Sequence, residues 1–249
     1  GGYHLCANAA NPPAVAKIRQ IKHRGQKPFA VLFRNIEEVR QYCRVSQAEE
    51  KLLLSAARPI VLLHSKRPLP TEITCGSDRV GAFLPCNPLQ ILLLEAISPL
   101  VATSANISGA PMCTNDTAVQ QFGVPVLGHD RPILTPIDDS VLQVTEGNPT
   151  FIRRARGYVP LAVELPFAAK QITLCLGGDL KATFGYHAGR YVFLSQPFGD
   201  LEHPDCLAAY QENIKRFAAL HGFTAEKVVA DLHPGYTARR LYTPDMQVQ

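Results

Sequence analysis

Among its seven cysteines (6, 43, 75, 86, 113, 175 and 206) the sequence has no Cys-x-x-Cys pair, and among its eight histidines no His-x-x-x-His. The odd count and scatter of the thiols argue against a disulfide frame or zinc site and suit reduced cysteines in a cytoplasm. Lacking ligand spacing, His4, His64 and His187 read as ordinary surface or packed residues, and no metal site is expected. No apolar run approaches the ~20 residues of a membrane span and no secretory pattern opens the sequence, so the expectation is a cytoplasmic protein without a membrane partner. Internal repeats and low-complexity tracts are missing too, which argues against repeat or disordered architectures.

What is present is a globular composition, 46% hydrophobic and 18% charged over 249 residues, enough for one large domain or two ordinary ones. Charge is uneven. Residues 1–165 hold 17 Lys and Arg against 13 Asp and Glu, whereas 166–249 hold 8 against 8. The formal charge of +4 therefore sits in the first part, which suits a phosphate-bearing ligand or RNA.

The densest cation group is Lys22-His23-Arg24-Gly25-Gln26-Lys27-Pro28. Asn11 is placed to cap a helix whose first position is Pro12, where a missing N–H costs nothing. Val15, Ile18 and Ile21 recur at helical spacing, and Gly25 is the stop before an apolar strand over 29–33. Cations at that junction either bind an anion or simply favour the negative end of the helix dipole. Further on, the pattern predicts a polar helical stretch over 37–57, a buried strand over 59–63, turns over 67–77 and an apolar helix over 89–97. Strands are predicted over 99–102, 124–127 and 140–144. The pattern breaks between Pro160 and Lys170, giving a first domain over 1–165 and a second over 170–249. In the second, strands over 172–176, 191–194 and 228–230 and a helix over 205–221 are predicted. Strands alternating with helices make the chain α/β.

Strand 99–102 runs into Thr103-Ser104-Ala105-Asn106, and strand ends are where α/β sheets hold ligands. Hydroxyls and an amide there bind phosphate, ribose or a base edge, or else close a turn on their own backbone. Arg153, Arg154 and Arg156 precede Gly157; arginine forks grip phosphate bidentately, a solvated strand being the plainer alternative. Asp138 and Asp139 suit either magnesium beside phosphates or a turn. Gly177-Gly178-Asp179-Leu180-Lys181 lets backbone approach a phosphate, with Lys181 and Thr183 as donors, or closes an ordinary hairpin.

Taken in order, Lys22-x-Arg24-x-x-Lys27-Pro28, Ser104-x-Asn106, Asp139-Ser140-Val141 and the Arg-rich run before Gly157 resemble the YrdC-like family, which includes the threonylcarbamoyl-adenylate synthases. The flanks Gly1-Gly2-Tyr3-His4-Leu5, Lys27-Pro28-Phe29-Ala30-Val31, His129-Asp130-Arg131-Pro132-Ile133, Leu176-Gly177-Gly178-Asp179-Leu180-Lys181 and Asp231-Leu232-His233-Pro234-Gly235-Tyr236 resemble the HypF family of hydrogenase-maturation carbamoyltransferases. The resemblance implies a YrdC-like twisted mixed sheet with helices, followed by the beginning of an actin-like ATPase (RNase H-like) α/β domain. It implies ATP and Mg2+ as cofactors and carbamoyl phosphate or carbamate as the carbamoyl source. A carbamoyl-adenylate would form with loss of pyrophosphate, and the group would pass to the C-terminal cysteine of a HypE-like acceptor for cyanide-ligand synthesis.

By the same resemblance Lys22, Arg24 and Lys27 meet phosphates or carbamoyl oxygens. Ser104, Asn106 and Ser140 hold the nucleotide, Arg154 or Arg156 lies over the phosphates, and Lys181 serves the second domain. Zinc or iron is expected only in family parts that this sequence lacks, and its abrupt ends read as those of a fragment. Asn8 stands where Asp is usual, Ala182 where Asn is usual and Pro197 where His is usual. Two rival readings remain. One is a threonylcarbamoyl-AMP synthase for tRNA modification, whose usual Arg is missing from Phe83-Leu84-Pro85. The other is a non-catalytic module binding double-stranded RNA at the basic concavity.

Overall fold

In a computed structural model, which describes residues 1–241, the Asn11 side chain accepts from the Ala14 amide at 3.2 Å and Pro12 opens the first helix, as the sequence predicts. The chain divides into two units. Gly1–Ser108 with Met112–Gly157 form one, and Gly109–Pro111 with the chain from Tyr158 form the other.

The first unit runs β1 (His4–Asn8), α1 (Pro12–Ile21), β2 (Ala30–Leu32), α2 (Ile36–Tyr42), α3 (Gln47–Leu54) and β3 (Ile60–His64). It continues through α4 (Thr71–Thr74), β4 (Arg79–Phe83), α5 (Pro88–Ala96), β5 (Leu100–Ser104), α6 (Asp116–Gln120), β6 (Val141–Thr145) and β7 (Asn148–Arg153). Its seven strands form one mixed sheet in the order β1-β5-β2-β4-β3-β6-β7, with β2 parallel to β4 and β3 parallel to β6. The central strands read as continuous apolar runs because both faces are covered. Val31, Ala82 and Val101 join the larger core, which also takes Val15 and Ile18 of α1, while Leu32, Phe83, Leu100 and Ala102 pack with Leu94 of α5.

Several expectations change. The stretch over 37–57 is two helices, because the chain extends at Cys43 and restarts at a Ser46–Glu49 capping box. Residues 124–127 form no strand. Val124 and Val126 pack against the core as irregular chain, and Pro125 has no N–H to give a ladder. Strands β1, β4 and β7 are additional.

The second unit contains β8 (Ala162–Glu164), β9 (Thr173–Leu176), β10 (Phe184–Ala188), β11 (Tyr191–Leu194), α7 (Pro204–His221), β12 (Lys227–Val229) and α8 (Thr237–Arg240). Its sheet order is β12-β9-β10-β11-β8, with β12 parallel to β9 and the other pairs antiparallel. Strands β9, β10 and β11 are antiparallel in chain order, and after α7 the chain returns as β12, parallel to β9. Phe184, Tyr186, Tyr210 and Ile214 are buried in the core of this unit. Because β8 pairs with β11, residues 162–164 belong to this sheet, inside the stretch where the sequence pattern breaks. Among the described residues no helix is long and apolar enough to cross a membrane.

Candidate nucleotide site

Lys22 is the C-cap of α1, and the next residue, His23, is left-handed (φ 48°), which turns the chain away from the helix. Lys22 is buried. Its Nζ donates to the Asn106 carbonyl and Oδ1, both at 2.8 Å, and to the Ser104 carbonyl. Ser104 Oγ donates to the same Asn106 Oδ1 at 2.7 Å, and the Ser108 amide donates to the Lys22 carbonyl at 2.9 Å. Two motifs 82 residues apart are thus tied into one knot. Burial first, then the charge of Arg24, pulls the Lys22 pKa down to about 8.

Arg24 stands beside this knot. Its Nε donates to the Lys27 carbonyl at 3.0 Å and its Nη2 to the Pro28 carbonyl at 2.7 Å, with the guanidinium over the Phe29 ring. Burial lowers its pKa, and Arg19 and Arg153 push the same way while Asp138 opposes them. Arg153 and Asp138 therefore share the electrostatic neighbourhood of Arg24, and Asp138 also acts on Lys22. The Lys27 side chain is exposed.

The segment around Ser140 and Arg156 is held by bonds to its own main chain and to Asp139. Ser140 is fully buried; its hydroxyl donates to the Arg156 carbonyl at 2.9 Å and accepts from the Ala155 amide at 2.8 Å. Arg156 Nε donates to Asp139 Oδ1 at 2.7 Å, while its Nη1 and Nη2 donate to the carbonyls of Ala57 and Arg58, each at 2.9 Å. Ser140 thus ties residues 155 and 156 to the start of β6, and three of the five N–H donors of Arg156 are spent on Asp139 and on the loop before β3. Arg153, exposed and 3.5 Å from Asp138, and the half-buried Arg154 are the arginines left facing outward or partly so. Gly157 (φ +87°) is needed for this fastening, since a Cβ there would lie 2.6 Å from Ala57 Cβ. Gly157→Ala is expected to lower stability by about 1–3 kcal/mol, read as a fall in Tm.

His4, which reads from the sequence as an ordinary surface or packed residue, is partly buried in β1. It pairs directly opposite Ser104, so the two side chains share one face of the sheet. Burial lowers its pKa, with Asp139 opposing. Asn8, one of the departures from the family pattern, accepts the Ala10 amide at 2.8 Å in a turn.

In the second unit Lys181 is exposed at φ 51° on the loop between β9 and β10. Asp179 of that loop is buried, and its carboxylate accepts the amides of Thr237 (2.7 Å) and Ala238 (3.1 Å). Ala182 is buried between the Gly199 carbonyl and the Phe198 amide, each at 2.8 Å. Among the described residues no group of three His, Cys, Asp or Glu is placed to hold a metal. Asp139 is paired closely with Arg156 and Asp138 more loosely with Arg153, so a magnesium ion here would take most of its ligands from a nucleotide's phosphates.

Comparison with known proteins follows this geometry. Residues 1–155 match the Sua5/YciO/YrdC family, described as "Telomere recombination", and residues 168–248 match the "HypF Kae1-like domain". The carbamoyltransferase HypF of Synechocystis sp. is 40% identical over 95% of this chain and 32% of its own length. The threonylcarbamoyl-AMP synthase of Bacillus subtilis is 28% identical over 66% of this chain and 45% of its own. A crystal structure of full-length HypF in its phosphate- and nucleotide-bound form superposes with a TM-score of 0.95 at 41% identity, covering 100% of this chain and 41% of that one. The chain spans about a third of the length of the HypF relatives it matches.

Proposed function

Because the chain belongs to the Sua5/YciO/YrdC family and carries a HypF Kae1-like domain after it, we propose that its first unit activates a carbamoyl group with ATP for transfer. A carbamate oxygen attacks the α-phosphorus, the bond to the bridging oxygen breaks, and pyrophosphate leaves with the electron pair. Such a reaction asks the protein mainly for positioning and for charge against the phosphates. The observation that carries the reading is the knot of Lys22, Ser104 and Asn106, with Arg24 two residues beyond Lys22 and held over the Phe29 ring.

In this reading Ser104 and Asn106 present the nucleotide-binding loop, and buried Lys22 holds that loop. Arg24, Lys27, Arg153 and Arg154 meet the phosphates or carbamoyl oxygens, while Ser140 and Arg156 shape the wall. Magnesium rides on the phosphates beside Asp138. The second unit, with Lys181 on its Gly-Gly loop, belongs to the onward step, in which the carbamoyl group reaches a HypE-like acceptor for cyanide-ligand synthesis in nickel–iron hydrogenase maturation. Carbamoyl phosphate is the ultimate carbamoyl source.

The test is pyrophosphate release from ATP and magnesium with a fresh carbamate source, or with threonine plus bicarbonate. Release with carbamate, about tenfold or more weaker in Arg24→Ala, is expected. Release with threonine alone would move the chain to tRNA-modification chemistry. Salt-sensitive binding of double-stranded RNA without any release would make it an RNA module.

A pH dependence accompanies this reading. Lys22 titrates at about 8 when folded against an ordinary 10.5. Between those values the unfolded chain binds more protons, so this group raises stability as pH climbs. The site, however, loses a positive charge over the same interval. ATP affinity is therefore expected to fall above pH 8 with no fall in Tm from this group, and a flat affinity from pH 7 to 9.5 would contradict it.

A further inference from the structure

Arg19 is half-buried on α1, and its guanidinium is spent almost wholly on main-chain carbonyls. Nη1 donates to the carbonyls of Arg24 (3.2 Å), Lys27 (3.1 Å) and Gly25, and Nη2 to that of Glu72 in α4 (2.5 Å). The same group lies 4.6 Å from the Phe29 ring centroid, and Arg24 lies 4.8 Å from it. One cation thus gathers three carbonyls of a four-residue loop and fastens them to the neighbouring segment.

The consequence follows from peptide geometry. In a trans peptide the carbonyl and the next N–H point in opposite directions. With the Arg24 and Gly25 carbonyls turned onto Arg19, the N–H groups of Gly25 and Gln26 are turned away from it. Neither amide has an acceptor among the described residues. Consecutive outward amides make an anion-binding concavity, and a cation behind the carbonyls reinforces their polarity. They border an open cleft of about 570 Å³ lined also by Arg19, Arg24, Thr71, Glu72 and Gly76, with two arginines against one carboxylate and room enough for phosphate groups.

We infer that Arg19 is a positioning residue that shapes residues 24–27 into a phosphate-binding loop, in which the Gly25 and Gln26 amides bind the nucleotide's outer phosphates beside Arg24 and Lys27. The inference rests on the nucleotide reading above. Lysine at position 19 keeps the charge, but three donors on a single nitrogen cannot span carbonyls spread over two segments.

The experiment uses the 249-residue chain with ATP titrated calorimetrically and pyrophosphate followed by amide NMR. In the wild type, pyrophosphate is expected to shift the Gly25 and Gln26 amide resonances. Arg19→Lys is expected to abolish those shifts and weaken ATP binding about tenfold, while Tm changes by no more than a few degrees. A role confined to stability would lower Tm and leave binding by the folded fraction unchanged, which overturns the inference. Should Arg19→Lys fail to fold, the wild-type amides decide, and silence at both positions while ATP binds also overturns it. If the wild type binds neither ATP nor pyrophosphate, the nucleotide reading falls and takes this inference with it.

Discussion

Replacing Lys22 with Met is expected to weaken ATP binding by about 100-fold and to lower stability by about 3 kcal/mol. Met fills nearly the same slot, so the effect isolates the ammonium. Three oxygens, the Ser104 carbonyl and both Asn106 acceptors, would lose a charged donor in a place where Lys22 itself is only 1% exposed. Hydrogen bonds to charged groups are worth about 1.5–3 kcal/mol each, and part of that loss is recovered because burying the charge also had a cost. The binding loss has a separate cause: Ser104 and Asn106 then reorient, and the nucleotide meets a loop that is no longer held. Lys22→Arg should not rescue it, since a fork cannot enter a slot packed around a linear chain without displacing neighbours. Calorimetric titration beside thermal melts reads both effects. A variant that melts lower yet binds ATP as well as the wild type would show that Lys22 serves the fold alone.

Much of this arrangement was legible because it is local. The Asn11 cap, Pro12, and the stripe of Val15 and Ile18 fix α1, and a helix that stops before Gly25 delivers its last residues to the sheet end. Lys22-x-Arg24 and Ser104-x-Asn106 were each ambiguous alone, and a turn closed on its own backbone was the plainer reading of the second. In the structure Ser104 and Asn106 bond each other side chain to side chain, and Lys22 completes the pair. What stayed illegible depends on direction. Nothing in Asp139-Ser140-Val141 says that the serine points inward to bond Ala155 and Arg156, because that orientation is set by a chain segment 15 residues later. Val124-Pro125-Val126-Leu127 has a strand's apolar content, but it packs on the core with no strand beside it. The apolar helix α5 was found, yet of its leucines only Leu94 is buried; Leu89, Leu92 and Leu93 are exposed, which composition alone cannot foretell.

The arginine cluster gives the second large effect, because its members separate by role. Arg156→Ala is expected to destabilise the first unit by about 3–5 kcal/mol, since it strands the Asp139 carboxylate and leaves the carbonyls of Ala57 and Arg58 without their donor. The Asp139–Arg156 pair is only 15% and 20% exposed, so solvent screens little of that loss. Arg153→Ala should behave in the opposite way. Its contact with Asp138 is 3.5 Å long and exposed on both sides, worth about 1 kcal/mol at most, so Tm should scarcely move. ATP affinity should nevertheless fall about tenfold, because in the proposed reading exposed Arg153 is one of the cations that meet the phosphates. Melting curves and ATP titrations on the two variants separate the roles. If Arg153→Ala unfolds the unit while Arg156→Ala melts normally and loses only ATP, the assignment of wall and ligand arginines must be exchanged. The chain's direction argues against that exchange: β7 ends at Arg153 on the exposed edge of the sheet, Ala155 is wholly buried, and Arg156 follows it inward toward Asp139.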